Sequence, residues 1–138
     1  MREIRRIFLH CSATKPGQKV SRETLLAWHK ERGWKDIGYH YVVNADGSYY
    51  SGRPEAEPGA HAVGHNADSL AICYIGGLGA DGQPADTRTA KQIKTTDSLI
   101  DDIRLRHGHG IEVWGHNEVS SKACPSFDVT EDRRRRRR

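Results

Sequence analysis

The run Leu70–Gly77, LAICYIGG, constrains this chain more than any other stretch. It is continuously apolar rather than alternating, so neither face of a strand formed there can meet water. Such a strand lies in the middle of a sheet with helices packed on both sides. The flanking sequence supplies the other parts. RRIFLH (5–10) reads as a first short strand. Ser21 opens a helix that runs to about Arg32, with Val20 and Leu25 at the spacing of a hydrophobic staple. YHYVVNADGSYYSG holds two β-rich runs around Asp46-Gly47, the turn chemistry of an antiparallel hairpin. Thr89 and Gln92 make a capping box for a second helix. Its Ile93, Thr96, Ile100 and Ile103 share one stripe, and it stops at His107-Gly108. IEVWGH (111–116) is a last short strand. The predicted order is β-α-β-β-β-α-β: a single α/β domain, a central mixed β-sheet flanked by helices.

At 138 residues the chain can bury a core without staples. It has no apolar run near the ~20 residues of a membrane span. Its start lacks the roughly 7–15 apolar residues of a secretory signal. The expectation is a monomer made in the cytoplasm, without a signal peptide, acting outside only once something else releases it. The formal charge of +4 misleads, because Arg133–Arg138 carry six positive charges. Removing them from the 22 Lys and Arg leaves 16 against 18 Asp and Glu, or −2. Residues 1–130 therefore read as the folded domain, and 131–138 as a disordered arginine-rich tail. Such a tail can also dock on anionic envelope polymers.

Three cysteines, Cys11, Cys73 and Cys124, form no close pair, which points to metal or catalytic use of at least one rather than a disulfide framework. Cys73 lies inside the apolar run and reads as core. His10 closes the first strand, Tyr39 opens the hairpin, His116 closes the last strand, and Lys122 and Cys124 follow in its loop. A mixed sheet can bring such strand ends to one rim. Two imidazoles and a thiolate suit zinc, with the fourth position left for water. Spacing alone leaves a rival open, in which His116 is the base for a Cys124 nucleophile. The segment 53–68, rich in Pro, Gly, Ala and His, reads as a long surface loop of the kind that carries function.

The runs FLHCSATKP, WHKERGWKDIGYHYVVNADGSYYSGR, GAHAVGHNADSLAICYIGG and GHNEVSSKACPSFD together resemble the zinc-dependent N-acetylmuramoyl-L-alanine amidases. This is the type-2 amidase and peptidoglycan-recognition-protein family. The likeness is strongest to the phage lysozymes of the T-seven coliphage group, which are amidases. It extends from about residue 6 to residue 128, with the motifs in order. The resemblance implies one zinc ion held by His10, His116 and Cys124, with Tyr39 and Lys122 as catalytic residues. It implies hydrolysis of the amide between N-acetylmuramic acid and L-alanine in peptidoglycan. His61, His65 and Asn66 fall on the family's loop beside the cleft, as muropeptide contacts. His40, Cys11 and Asp128 also match family positions, and strand alternation turns His40 away from Tyr39.

There are three departures from the family pattern. Leu70 and Ala71 replace the usual Ile and Gly in the central strand. Few residues precede the first strand, so the RNA polymerase binding of some phage relatives, which uses N-terminal residues, is not carried over. The C-terminal helix expected after CPSFD is replaced by VTEDRRRRRR, which has no amphipathic pattern. Two alternatives to a peptidoglycan hydrolase are a non-catalytic peptidoglycan-binding module and a polymerase-binding regulator. Retention of Cys124, Tyr39 and Lys122 together argues against the first.

Overall fold

The computed structural model describes residues 2–136. Its elements are β1 (Arg6–Cys11), α1 (Arg22–Glu31), β2 (Tyr41–Val43), β3 (Tyr49–Ser51), β4 (Ser69–Tyr74), α2 (Ala90–His107), β5 (Glu112–Gly115) and α3 (Val129–Arg136). Short 3₁₀ turns cover Asn66–Asp68 and His116–Glu118. The sheet order is β3-β2-β4-β1-β5, antiparallel only between β2 and β3. The apolar run takes the central place expected of it: every residue of β4 is buried, with β1 and β2 as parallel neighbours. The strand ends at Tyr74, before the two glycines. Gly77 has φ +99°, and a Cβ there would collide with the Cys11 sulfur, so only glycine fits.

Alternation along the strands divides the core into two layers. Ile7, Leu9, Leu70 and Ile72 face α2, packing with Leu99, Ile100 and Ile103. Within the predicted stripe of α2, Ile100 and Ile103 are fully buried, whereas Ile93 and Thr96 are half-buried. Thr89 and Gln92 form the capping box, and the Gln92 amide also donates to the carbonyls of Val43 and Ile75. On the other face α1 covers Val42 and Ile37 through Leu25, with Val20 in the same cluster and Ser21 accepting from the Thr24 amide. Phe8 and His10 point to this second face, where the 53–68 loop lies over them.

That loop is fastened at several points. The buried Arg53 guanidinium donates to the carbonyls of Ile37, Pro58 and Asp36. Glu55 receives Tyr41, Arg106 and His107, tying the loop to the end of α2. A Cβ on Gly38 would collide with the Ala60 carbonyl, so the absence of one lets the loop close against the Tyr39 segment. The Ala60 amide then donates to Gly38 at 3.1 Å.

The C-terminal segment differs from expectation. Residues 129–136 form a helix on β5, rather than a tail disordered from residue 131. Val129, Asp132 and Arg133 share one helical face at the i, i+3, i+4 spacing. Val129 sinks into the α2-side core, and Asp132 is buried and pairs with Arg88 at 3.1 Å. Arg133 pairs with Glu118 at 2.9 Å and donates to the Val113 carbonyl at 2.6 Å. Two of three inward residues are charged, so no apolar stripe betrays the helix. Its acids sit in the first turn and its arginines follow, as the helix dipole favours. Arg137 and Arg138 lie outside the described residues, so the tail expectation for them has no structural counterpart.

Candidate metal centre

β1 and β5 are adjacent and parallel, so both finish at the same rim of the sheet. His10 is the penultimate residue of β1, and His116 follows the last residue of β5. The 3₁₀ turn at His116 is held by Glu118, whose carboxylate accepts from the Gly115 amide at 2.7 Å. The next loop swings Cys124 back over β1, where its sulfur accepts from the Cys11 amide at 3.2 Å. Ligand atoms of His10, His116 and Cys124 thus lie within 4.8 Å of one another, a group that could hold a metal ion. His10 Nδ1 and Cys124 Sγ are 3.6 Å apart. Tetrahedral zinc with ordinary Zn–N and Zn–S bonds sets that separation at about 3.6 Å. The donor set and its spacing fit.

The electrostatics point the same way. Burial holds His10 well below the usual imidazole range, assisted by His61, His116 and Lys122. Burial and then Lys122 also lower His116. Both imidazoles are thereby kept neutral, the form that binds metal. The adjoining Cys11 thiol and burial push the Cys124 thiol upward. A cation between the three donors reverses that shift.

These donors open onto a cleft of about 390 Å³, which Tyr39, His61, Asn66 and Lys122 also line. Tyr39 packs its ring 5.1 Å from His10 and 5.3 Å from His29. Burial, and next the nearby Cys73, raise its hydroxyl well above the usual phenol range, so it stays a proton donor. Lys122 is exposed and lines the same cleft. Of the three loop residues, Asn66 accepts from the amides of His61 and Ala62, and His65 packs its ring on Phe8 away from the cleft lining. His61 is bonded to His10 at 3.0 Å. His40 is buried, accepts from the Ala71 amide and faces the Glu57 carbonyl, a supporting place. A second cavity of about 420 Å³ beside β5, lined by Arg104, His109, Trp114 and Arg133, brings together no comparable donor set. Ser69, bonded to His61, and Arg53, bonded to the Ile37 carbonyl, are buried; both lie within the family-like runs, but no local pattern in those runs shows which partner either one takes.

The family model for N-acetylmuramoyl-L-alanine amidases matches residues 1–127. The chain belongs to that family. Among this amidase's relatives, the endolysin of Escherichia phage T7 is 42% identical over 123 residues, covering 89% of this chain and 81% of its own. The endolysin of Klebsiella phage KP32 is 39% identical over 127 residues, covering 92% and 83%. Among solved structures, the N-acetylmuramoyl-L-alanine amidase LysC of Clostridium intestinale URNW superposes with a TM-score of 0.81 at 26% identity, over 94% of this chain and 83% of that one. The α/β fold expected from the sequence is therefore the fold of an amidase.

Proposed function

We propose that the protein is a peptidoglycan hydrolase of the endolysin type, a zinc-dependent N-acetylmuramoyl-L-alanine amidase. The observation that carries this reading is the convergence of His10, His116 and Cys124 at the floor of a cleft edged by Tyr39 and Lys122. His10 Nδ1, a ring nitrogen of His116 and the Cys124 sulfur would hold the metal. Zinc bound there supplies Lewis acidity and lowers the pKa of water toward ~7. The protein's own groups do the remaining work. Attack on the amide carbonyl places negative charge on its oxygen. The Tyr39 hydroxyl and the Lys122 ammonium, both from the lining of the cleft, would be the donors that meet it, each worth about 3 kcal/mol in the transition state. Tyr39, held protonated at neutral pH, also has a proton to pass toward the departing L-alanine amine.

The same cleft is the place where peptidoglycan, the expected partner, would bind. Among the described residues no helix is long and apolar enough to cross a membrane. Access to the wall after release is part of the proposal. The experiment is digestion of purified peptidoglycan followed by mass analysis. Free stem peptides beginning with L-alanine are expected; new reducing ends on intact glycopeptides would contradict the reading.

A further inference from the structure

Both ring nitrogens of His61 are engaged within the protein, which leaves no polar ring atom for a muropeptide. Nδ1 lies 3.0 Å from His10 Nε2, and Nε2 lies 3.1 Å from Ser69 Oγ. The direction of each hydrogen bond follows from the far end of this line. Ser69 Oγ is 2.7 Å from the main-chain oxygen of His65, which can only accept, so the single Ser69 proton goes there. Ser69 Oγ must then receive the proton on His61 Nε2. A neutral His61 protonated at Nε2 has its lone pair at Nδ1, and that lone pair accepts from His10 Nε2–H. His10 is left with its own lone pair on Nδ1, the nitrogen 3.6 Å from Cys124 Sγ.

We propose that His61 and Ser69 are positioning residues: they lock His10 in the Nε2–H tautomer and aim its Nδ1 into the metal centre. The inference rests on the amidase reading above and deepens it. Metal-bound histidines are commonly steadied through the second ring nitrogen by a carboxylate or a carbonyl. Here a second imidazole takes that place and passes the constraint on to a hydroxyl. His10, His61 and Ser69 are 1%, 8% and 0% exposed, so water does not compete for these bonds. Ser69 opens β4 in register with Arg6 of β1, and Asn66 clamps the His61 main chain. The relay therefore joins two neighbouring strands through the loop, which gives the tight fastening of residues 53–68 a purpose.

Long-range ¹H–¹⁵N spectra of the imidazole rings, recorded on zinc-loaded and zinc-free protein, read the tautomers directly. The expected result is a proton on Nε2 of both His10 and His61. A proton on His61 Nδ1 would overturn the proposal. In a competition titration against a chromophoric chelator, His61→Leu should bind zinc 10- to 100-fold more weakly. His61→Asn, whose Oδ1 takes roughly the place of Nδ1, should recover most of that loss. Ser69→Ala should weaken binding less and give mixed His61 tautomers. Wild-type affinity in both His61→Leu and Ser69→Ala would also sink the relay. Melting curves of the zinc-free variants identify any that does not fold, and the wild-type spectra then decide. Zinc binding that survives His116→Ala would defeat the metal-centre reading itself, while the zinc-free spectra would still judge the relay.

Discussion

Arg133 and Arg134 look equivalent in the sequence, yet the structure separates them, and replacing each with alanine turns that into a quantity. Arg133 donates to Glu118 and to the Val113 carbonyl, and its guanidinium lies 5.5 Å from the Trp114 ring. The pair is partly buried, with side chains 24% and 23% exposed. Hydrogen bonds involving charged groups contribute about 1.5–3 kcal/mol, and a half-exposed cation–π contact about 0.5 kcal/mol. Residual solvent access moves the total to the low end, so Arg133→Ala should cost about 2 kcal/mol. For a domain of this size that lowers Tm by about 6 °C. Arg134 is 64% exposed and, among the described residues, pairs with Glu131 at i,i+3 alone. Arg134→Ala should stay within about 0.5 kcal/mol of wild type. Glu118 also holds the Gly115 amide just ahead of His116, so the Arg133 variant should bind metal more weakly as well. Thermal unfolding with and without zinc is the assay. Two alanine variants with the same Tm would refute the claim that α3 is anchored to the fold through Arg133.

Tyr39→Phe and Lys122→Ala should each lower kcat on purified wall by about 10²–10³-fold with zinc content unchanged; metal loss in either would assign it a different role. Burial opposes ionisation of Glu55, but Arg106, Tyr41 and His107 outweigh it and hold the carboxyl at about 2. A depressed carboxyl stabilises fully above its unfolded value, near 4.5, and less as pH falls from there toward about 2. Urea titrations should therefore show an acid loss on the order of 2 kcal/mol that Glu55→Gln abolishes. Ile100→Ala, at a fully buried contact between α2 and the sheet, should cost about 2–5 kcal/mol in the same titrations, without altering metal affinity in the folded protein.

The legible parts of this molecule are those in which one residue type has one physical use. The unbroken apolar run could only be a central strand, and Ser21 and the Thr89–Gln92 pair mark helix starts through bonds local to them. The gathering of His10, His116 and Cys124 was suggested by strand ends and carried by the family resemblance. The α3 helix stayed hidden because its inward face is filled by Asp132 and Arg133, charges whose partners Arg88 and Glu118 are remote in sequence. The sequence puts His61 in the cleft loop, but its bonds to His10 and Ser69 span 51 and 8 residues, which no local pattern encodes. Long-range polar pairing is what the sequence alone conceals here.

The central claim is that Cys124 completes a metal centre instead of acting as a nucleophile. Metal analysis of wild type and Cys124→Ser, paired with digestion of the same wall preparation, tests it most directly. Wild type should carry about one zinc per chain, and the variant should lose both the metal and the release of L-alanine stem peptides. A Cys124→Ser protein that keeps its zinc and loses only activity would contradict the account and return Cys124 to nucleophilic catalysis.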